Sequence, residues 1–418
     1  MNRTFGSKAD FLTMPKPTVL IGFAEAISAP EVAWSLLDDS FNVIAFTRRG
    51  RTSALRHSRH IQCHEICGPE SNVQESLSDL RALLRLVRSQ AESLPCILFP
   101  LDDTALWLCS QAQDEANWRL AAPQQSCIEL ALNKQSQTEV ARKAGFNVPY
   151  TRTVRTADEL SGFARAVEFP IILKSQECVP VSDGRVRRSK TWICANASEL
   201  ERATKEWGER QPLLAQQFIT GNGEGVFGFA TSSGVQEWSA HRRLRMMNPQ
   251  GSGSSACISQ SIDANLERKV EDFMQAVGWR GLFMIELLKD ASGSLWFVEL
   301  NGRPWGSMAL SRRQGFEYPA WQARLALGCE SAISSEGGEA IPGFVCKHAG
   351  RELMHLLFVL RGPKSRALAN WPSFWKALGE VGHFHSNMGL YNWRRDDSKV
   401  FFADIYYTLR DNILKARG

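Results

Sequence analysis

The sequence has no long apolar run, no basic block, no paired cysteines and no dinucleotide fingerprint, and each absence removes a class of protein. No stretch stays apolar over the roughly 20 residues a helix needs to cross a bilayer. The opening MNRTFGSKADFLTMPKP lacks the apolar core of a secretory signal, so a cytoplasmic protein without a transmembrane segment is expected. Basic residues number 49 against 44 acidic ones, a net charge of +5 without clustering, so nucleic acid is not an expected partner. The 10 cysteines include no CxxC pair, which fits reduced thiols better than a disulfide framework. His57, His60, Cys63, His64 and Cys67 crowd into HSRHIQCHEIC but match no common zinc spacing, and read as a strand and loop.

The chain is long enough for about two to three domains, and 44% hydrophobic residues allow ordinary cores. TVLIGF (18–23), NVIAFTRR and CILFP read as short buried strands, and Pro30 opens the helical pattern PEVAWSLLDD. Strands alternating with helices predict a parallel, Rossmann-like sheet. Gly22-Phe-Ala-Glu-Ala is not G-x-G-x-x-G, and the second strand ends in Thr47-Arg48-Arg49 rather than an acid, so the dinucleotide fingerprint is missing and the arginines read as a solvated turn.

The most informative stretch is Gly281 to Arg303, GLFMIELLKDASGSLWFVELNGR. Two apolar runs, 281–288 and 295–300, flank a polar reversal and predict paired antiparallel strands. A period of two puts Leu282, Met284 and Glu286 on one face, and Leu295, Phe297, Glu299, Asn301 and Arg303 on one face of the partner. A buried carboxylate costs several kcal/mol unless neutralised, and two Glu and an Asn are hard oxygen donors suited to Mg²⁺ shared with a nucleotide's phosphates.

Upstream, NKQSQTEVARKAGFNVP reads as an N-capping Asn133, a helix, a Gly145 stop and a Pro149 link. Thr156 to Glu159 and Ser198 to Glu201 form two capping boxes, each opening an amphipathic helix. Between them FPIILKSQ is a strand ending on Lys174. VPVSDGRVRRSK follows with Gly184 as its single glycine and four bases, Arg185, Arg187, Arg188 and Lys190. Those bases either meet an anion or are a solvated charge run. The strand PLLAQQFI leads to TGNGEGVFGFA, and in WSAHRRLR a period of two puts His241, Arg243 and Arg245 on one face, where three cations repel unless an anion lies there.

In this order the motifs resemble the ATP-grasp superfamily, nearest its carboxylate–amine ligases of the carbamoyl-phosphate-synthase-large-subunit type. The resemblance covers Asn133 to Gly328. It implies an α/β chain with a Rossmann-like N-terminal domain (1–132), a two-lobed α+β ATP-grasp domain with a small lobe (133–215) and a large lobe (216–328), and an α/β C-terminal extension (329–418). Lys134 and Lys174 would hold the ATP phosphates. Gln216, Gln217, Phe218 and Ile219 would form the adenine hinge, where the family often has Glu in place of one Gln, and Glu224 would hold the ribose. Glu286, Glu299 and Asn301 would bind Mg²⁺, or Mn²⁺ in its place, and Arg303 would steady the transferring phosphate. His241, Arg243 and Arg245 resemble an anion-binding segment of carboxylate-activating members, and Asp102 and Asp103 are substrate-side candidates.

The implied activity activates a carboxylate as an acyl phosphate and joins it to an amine, releasing ADP and phosphate. The partners are then a small-molecule acid and amine, and a homodimer is compatible with the family. The alternatives are a bicarbonate-phosphorylating carboxylase or carbamoyl-phosphate-synthase-like enzyme, although the chain has one ATP-grasp unit and no biotin-carrier segment, and a non-catalytic ATP-binding regulator. Beyond Gly328 the resemblance fades. HAGRELMHLLFVLRG is helical, and the end of the chain puts Phe401, Phe402, Ile405, Tyr406, Leu409 and Ile413 on one helical face, expected to pack on the main body.

Overall fold

The computed structural model describes residues 16–91, 95–112, 118–188, 190–251, 253–330, 337–363 and 371–417; most of the opening segment discussed above lies outside them. The N-terminal unit follows from its alternating apolar strands and helices: β1 (Thr18–Gly22), α1 (Ala29–Asp38), β2 (Asn42–Arg48), β3 (Gln62–Ile66), α2 (Val73–Gln90), β4 (Cys96–Pro100), α3 (Asp103–Ser110) and β5 (Trp118–Leu120). The strands are parallel in the order β3-β2-β1-β4-β5, the Rossmann-like arrangement expected. Arg48 is not in a solvated turn. Its guanidinium is largely buried, lies 3.7 Å over the Phe23 ring, and pairs with Glu25, Glu70 and Asp102 at 2.6, 3.0 and 3.1 Å.

The small lobe is reached through α4 (Gln125–Ala131) and α5 (Lys134–Lys143), whose N-cap Asn133 accepts from the Ser136 amide as its sequence predicts. β6 (Thr151–Val154), α6 (Ala157–Ala164), β7 (Ile171–Ser175), the hairpin β8 (Val181–Ser182) and β9 (Arg185–Val186), β10 (Thr191–Cys194), α7 (Ala197–Trp207) and β11 (Leu213–Gln217) follow. The lobe's sheet is antiparallel, ordered β10-β7-β11-β6. Thr156 caps α6, but α7 starts earlier than the Ser198 box predicts. Asn196 is its cap, and the Glu199 carboxylate accepts from the Ala195 amide. Asn is at least as good an N-cap as Ser, and it lies two residues upstream.

The large lobe contributes five strands to a seven-stranded sheet, β12 (Asn222–Thr231), β13 (Gly234–Met246), β14 (Ser254–Ser259), β15 (Gly281–Lys289) and β16 (Leu295–Asn301), with α8 (Ala264–Val277), α9 (Met308–Arg312) and α10 (Tyr318–Ala326) packed around it. The C-terminal residues are not a separate appendage. β17 (Val345–Lys347) pairs with β14, and β18 (Met388–Leu390) pairs with β17, extending the large sheet. α11 (Ala349–Arg361), α12 (Phe374–Gly382) and α13 (Ser398–Arg417) complete the chain. α13 packs against the N-terminal unit, where Val400 joins the core that holds Val32 and Trp34, and Tyr407 Oη lies 2.8 Å from His57 Nε2. The predicted apolar face of α13 is divided: Phe402, Tyr406 and Ile413 are exposed. Among the described residues no helix is long and apolar enough to cross a membrane.

Two irregularities overturn the simple period of two. β16 pairs with β15 through Met284 opposite Asn301 and Glu286 opposite Glu299, but a bulge then sets Leu287 opposite Phe297. Phe297 therefore joins the core on the opposite face, not the face of Glu299. In β13 the register shifts between Arg243 and Arg245, which separates two arginines expected to share a face.

Candidate functional site

Glu299, Glu286, Gly225, His241 and Ser259 stand opposite one another in a row across successive strands β16, β15, β12, β13 and β14. Asn301 lies next to this row with its side-chain amide 3.8 Å from Met284 Sδ. Glu286 is neutralised by Arg243 Nη2 at 2.7 Å, yet burial, assisted by the Glu299 carboxylate, keeps its pKa above the ordinary range against the pull of Arg243. The two acids stand side by side on adjacent strands, and Arg243 approaches Glu286 from the side away from Glu299.

Glycine makes room for that arrangement. A β-carbon on Gly223 would stand 2.6 Å from Arg243 Cδ, and one on Gly225 would stand 2.9 Å from His241 Nε2. The alternate glycines of TGNGEGV thus form a floor over which Arg243 reaches Glu286. His241 is not one of the cations expected. It is buried, neither ring nitrogen is hydrogen-bonded among the described residues, it packs edge-on to Phe227 at 4.9 Å, and burial lowers its pKa to about 3, so it is neutral.

Lys134 and Lys174 arrive from the small-lobe side. In β7 the residues Ile171, Leu173 and Ser175 face the lobe core, which turns Lys174 to the other face. The loop after β7 docks on the start of α5: the Lys134 amide donates to the Gln176 carbonyl and the Cys178 amide to the Leu132 carbonyl, both at 2.9 Å. Burial lowers Lys174 to about 8, with Glu299 opposing and Lys134 adding to the fall. Burial also works against Lys134, but Cys178, at 3.2 Å from its Nζ, and Glu299 and Asp103 hold its pKa above the ordinary lysine value. Both lysines therefore sit in the field of Glu299.

Sequence reasoning missed Gln137, whose side chain clamps α5 to β16. Its Oε1 accepts from the Leu300 amide at 2.8 Å and its Nε2 donates to the Leu300 and Ala131 carbonyls at 3.1 and 2.6 Å. A polar residue on the inward face of an amphipathic helix was the available signal. Arg303 closes the other side, paired with Asp103 at 2.9 Å. Asp102, beside it, is committed to capping α3 and to Arg48.

Two predicted site residues are elsewhere. Glu224 does not face the cleft: it stands opposite Leu287, a residue of the opposite core, and accepts from Gln260 Nε2 at 2.8 Å. Its neighbours Gly223 and Gly225 occupy the cleft face, so a ribose contact by Glu224 is not supported. Arg245, turned by the bulge, pairs with Glu352 at 2.6 Å and Glu380 at 3.0 Å on the C-terminal helices. The hinge residues lie where the two lobes join. Gln216 and Gln217 end β11, with Gln216 Nε2 donating to Thr151 Oγ1 at 2.8 Å and the Gln217 amide to the Tyr150 carbonyl at 2.9 Å. Phe218 and Ile219 bridge to β12 outside either sheet, and both are half-buried.

The cleft therefore contains two carboxylates and an amide from one sheet, two lysines from the other side, and two arginines. Two Glu and an Asn oxygen fit a hard divalent cation that fills its remaining positions with phosphate oxygens and water. Among the described residues no three His, Cys, Asp or Glu side chains form a metal cage of their own.

No protein-family model matches the chain. It is similar to the formate-dependent phosphoribosylglycinamide formyltransferase of Wolinella succinogenes, 24% identical over 294 residues that make up 64% of this chain and 71% of that one. Among solved structures it is similar to the L-amino acid ligase from Bacillus licheniformis, at 15% identity and a TM-score of 0.56 over 79% of this chain and 78% of that chain. It is also similar to N5-carboxyaminoimidazole ribonucleotide synthetase in an ADP complex, at 13% identity and a TM-score of 0.60 over 89% of this chain and 92% of that chain.

Proposed function

This chain has the ATP-grasp fold, and from that premise we propose that it is an ATP-dependent ligase, activating a carboxylate as an acyl phosphate and joining it to an amine with release of ADP and phosphate. The observation that carries the reading is the convergence of Glu286, Glu299, Lys134 and Lys174 from two lobes on one cleft, with Arg243 beside them. Phosphoryl transfer asks for little from a protein except charge neutralisation and alignment.

In this reading Lys134 and Lys174 hold the ATP phosphates from two sides, and the half-buried strap of Phe218 and Ile219 lies along the adenine. Glu286, Glu299 and Asn301 hold Mg²⁺, which supplies charge neutralisation at the transferring phosphate. Arg243, already oriented by Glu286, meets the acid substrate, and Arg303, fixed by Asp103, steadies the phosphate as it passes. His241 shapes the floor as a neutral ring. The substrates are a small-molecule acid and amine.

The test is a screen of acid and amine pairs for ADP release with Mg·ATP, the product identified by mass, run in parallel on Glu299→Gln. Turnover should fall by orders of magnitude in that variant while its fold persists, because the shape stays and the charge facing the metal goes. Near-normal ADP release by Glu299→Gln would remove the metal assignment. If bicarbonate alone, without an organic acid, supports ADP release, the carboxylase alternative replaces the ligase.

A further inference from the structure

A cavity of about 670 Å³ opens between α12 and the large sheet. Its sheet wall is apolar, formed by Leu244 of β13, Val345 of β17 and Met388 of β18. Val345 stands opposite Ile258 on one side and Met388 on the other, whereas Arg243 stands opposite Cys257, one residue away from Ile258. Successive residues of a strand point to opposite faces, so this wall is on the face of the sheet turned away from Arg243 and Glu286.

The helix wall is one face of α12. Trp375 and Gly379 are one turn apart, as are Lys376 and Glu380, and His383 follows at the helix end. Glycine inside a helix costs stability relative to alanine, and a β-carbon on Gly379 would meet nothing within 4 Å. The glycine therefore leaves a notch in this face. It is flanked, one turn to either side, by the Trp375 indole, 79% exposed, and by the His383 ring, whose centroid is 5.6 Å from that of His385.

The walls carry more positive than negative charge. Arg245 holds both acids nearby, Glu352 and Glu380. Lys347 is buried, and its Nζ donates to the carbonyls of Glu380, Val381 and His383 at 2.9, 3.1 and 2.6 Å. Lys376 is exposed on the rim, and neither lysine makes an ion pair among the described residues. Carbonyls at a helix C-terminus offset part of the Lys347 charge, yet burial still holds its pKa below the ordinary lysine value. A volume within the roughly 300–1,000 Å³ of ligand sites, with mostly apolar walls and a few polar groups, suits one small molecule. The apolar strand residues and the open indole match a ring-bearing apolar body, and the excess cation matches a single negative charge. We propose that this cavity binds a small aromatic carboxylate, its ring in the Gly379 notch beside Trp375 and its carboxylate on Lys376. The site is independent of the ligase reading. β13 reaches both places, with Arg243 in the cleft and Leu244 on the cavity wall.

The proposal is tested by calorimetric titration of the full chain, without nucleotide, with 3-phenylpropionate and indole-3-acetate and with the primary amide of each. At least one acid should bind, and its amide should bind about fivefold or more weakly, because the charged contact is lost. Lys376→Glu should weaken the acid by a similar factor and leave the amide unchanged. Gly379→Leu fills the notch with a better helix former, so it should weaken the acid by about tenfold or more while the melting temperature is kept or rises. Arg243→Ala should leave the acid's affinity unchanged. Failure of both acids to bind, equal binding of acid and amide, or undiminished binding in Gly379→Leu or Lys376→Glu overturns the inference. So does binding that is lost in Arg243→Ala but kept in Gly379→Leu, which puts the acid in the ligase cleft.

Discussion

Lys174 is where the cleft's need for an anion is most visible. Burial lowers its pKa to about 8 from an ordinary 10.5, so between those values the unfolded chain binds more protons at this residue than the folded one. Stability therefore rises with pH across that window, and the group contributes no slope well below it. Cys178, raised to about 11 mainly by burial, acts in the opposite sense above its ordinary 9. Denaturant midpoints of the nucleotide-free protein should thus rise between about pH 8 and about pH 9 relative to Lys174→Met, whose own curve lacks that component. A parallel curve for the variant would mean that Lys174 is not held uncomfortably. In binding experiments Lys174→Ala should weaken ATP by about tenfold to 150-fold, and adenosine hardly at all, as only a charge-assisted phosphate contact of roughly 1.5–3 kcal/mol is lost. Equal losses for both ligands would make Lys174 structural.

The two arginines after His241 behave differently for the same reason that they part company in the fold. On the ligase reading Arg243→Ala should raise KM for the acid or lower kcat with little change in stability, since Glu286 is left in the field of Arg303 and Lys174. Arg245→Ala should leave kcat nearly unchanged but destabilise the chain by about 3 kcal/mol, because it strands the buried Glu352 carboxylate. Urea unfolding and steady-state kinetics on the two variants separate the roles, and a catalytic defect in Arg245→Ala with normal stability would return it to the site.

At the scale of elements, periodicity predicted the strands well and their faces less well. The pairing of β15 with β16 was legible in GLFMIELLKDASGSLWFVELN, because two apolar runs flanking a polar reversal admit few other arrangements. The bulges were not legible. They arise from how neighbouring strands share hydrogen bonds, which a single sequence does not display, and one of them decides where Arg245 points. Glu224 was misplaced for a related reason: proximity in sequence to the hinge carried no information about which face of β12 it occupies, whereas Gly223 and Gly225 mark the functional face. Gly223→Ala would press its methyl group against the flexible end of Arg243, so activity should fall toward that of Arg243→Ala while the fold persists. Normal activity in Gly223→Ala would show that Arg243 does not need its present path to Glu286.

At the scale of the whole molecule, the cleft is assembled by contacts that no motif announces. Gln137 seats α5 on β16, and Asp103 of the N-terminal unit fixes Arg303 of the large lobe. The hairpin β8–β9 leans on the N-terminal unit, with the Val186 amide donating to the Pro69 carbonyl and the Val73 amide to the Gly184 carbonyl, each at 2.9 Å. Its bases are partly neutralised locally, Arg187 by Asp183 at 2.7 Å and Lys190 by Glu206. The C-terminal residues, where the family resemblance ends, extend the large sheet and wall the cavity beside Gly379. Apart from these local pairs of the basic segment, the contacts join residues far apart in the chain, which is why the motifs were readable and their assembly was not.

The central claim is that a substrate carboxylate takes the γ-phosphoryl group of ATP before the amine attacks. The most direct measurement uses the acid identified by the screen, labelled with oxygen-18 in its carboxylate, and analyses the inorganic phosphate by mass after one turnover with Mg·ATP and the amine. If an acyl phosphate forms, one labelled oxygen passes from the acid to the phosphate, and ADP, phosphate and amide appear in equal amounts. Unlabelled phosphate, or AMP and pyrophosphate in place of ADP and phosphate, would contradict it.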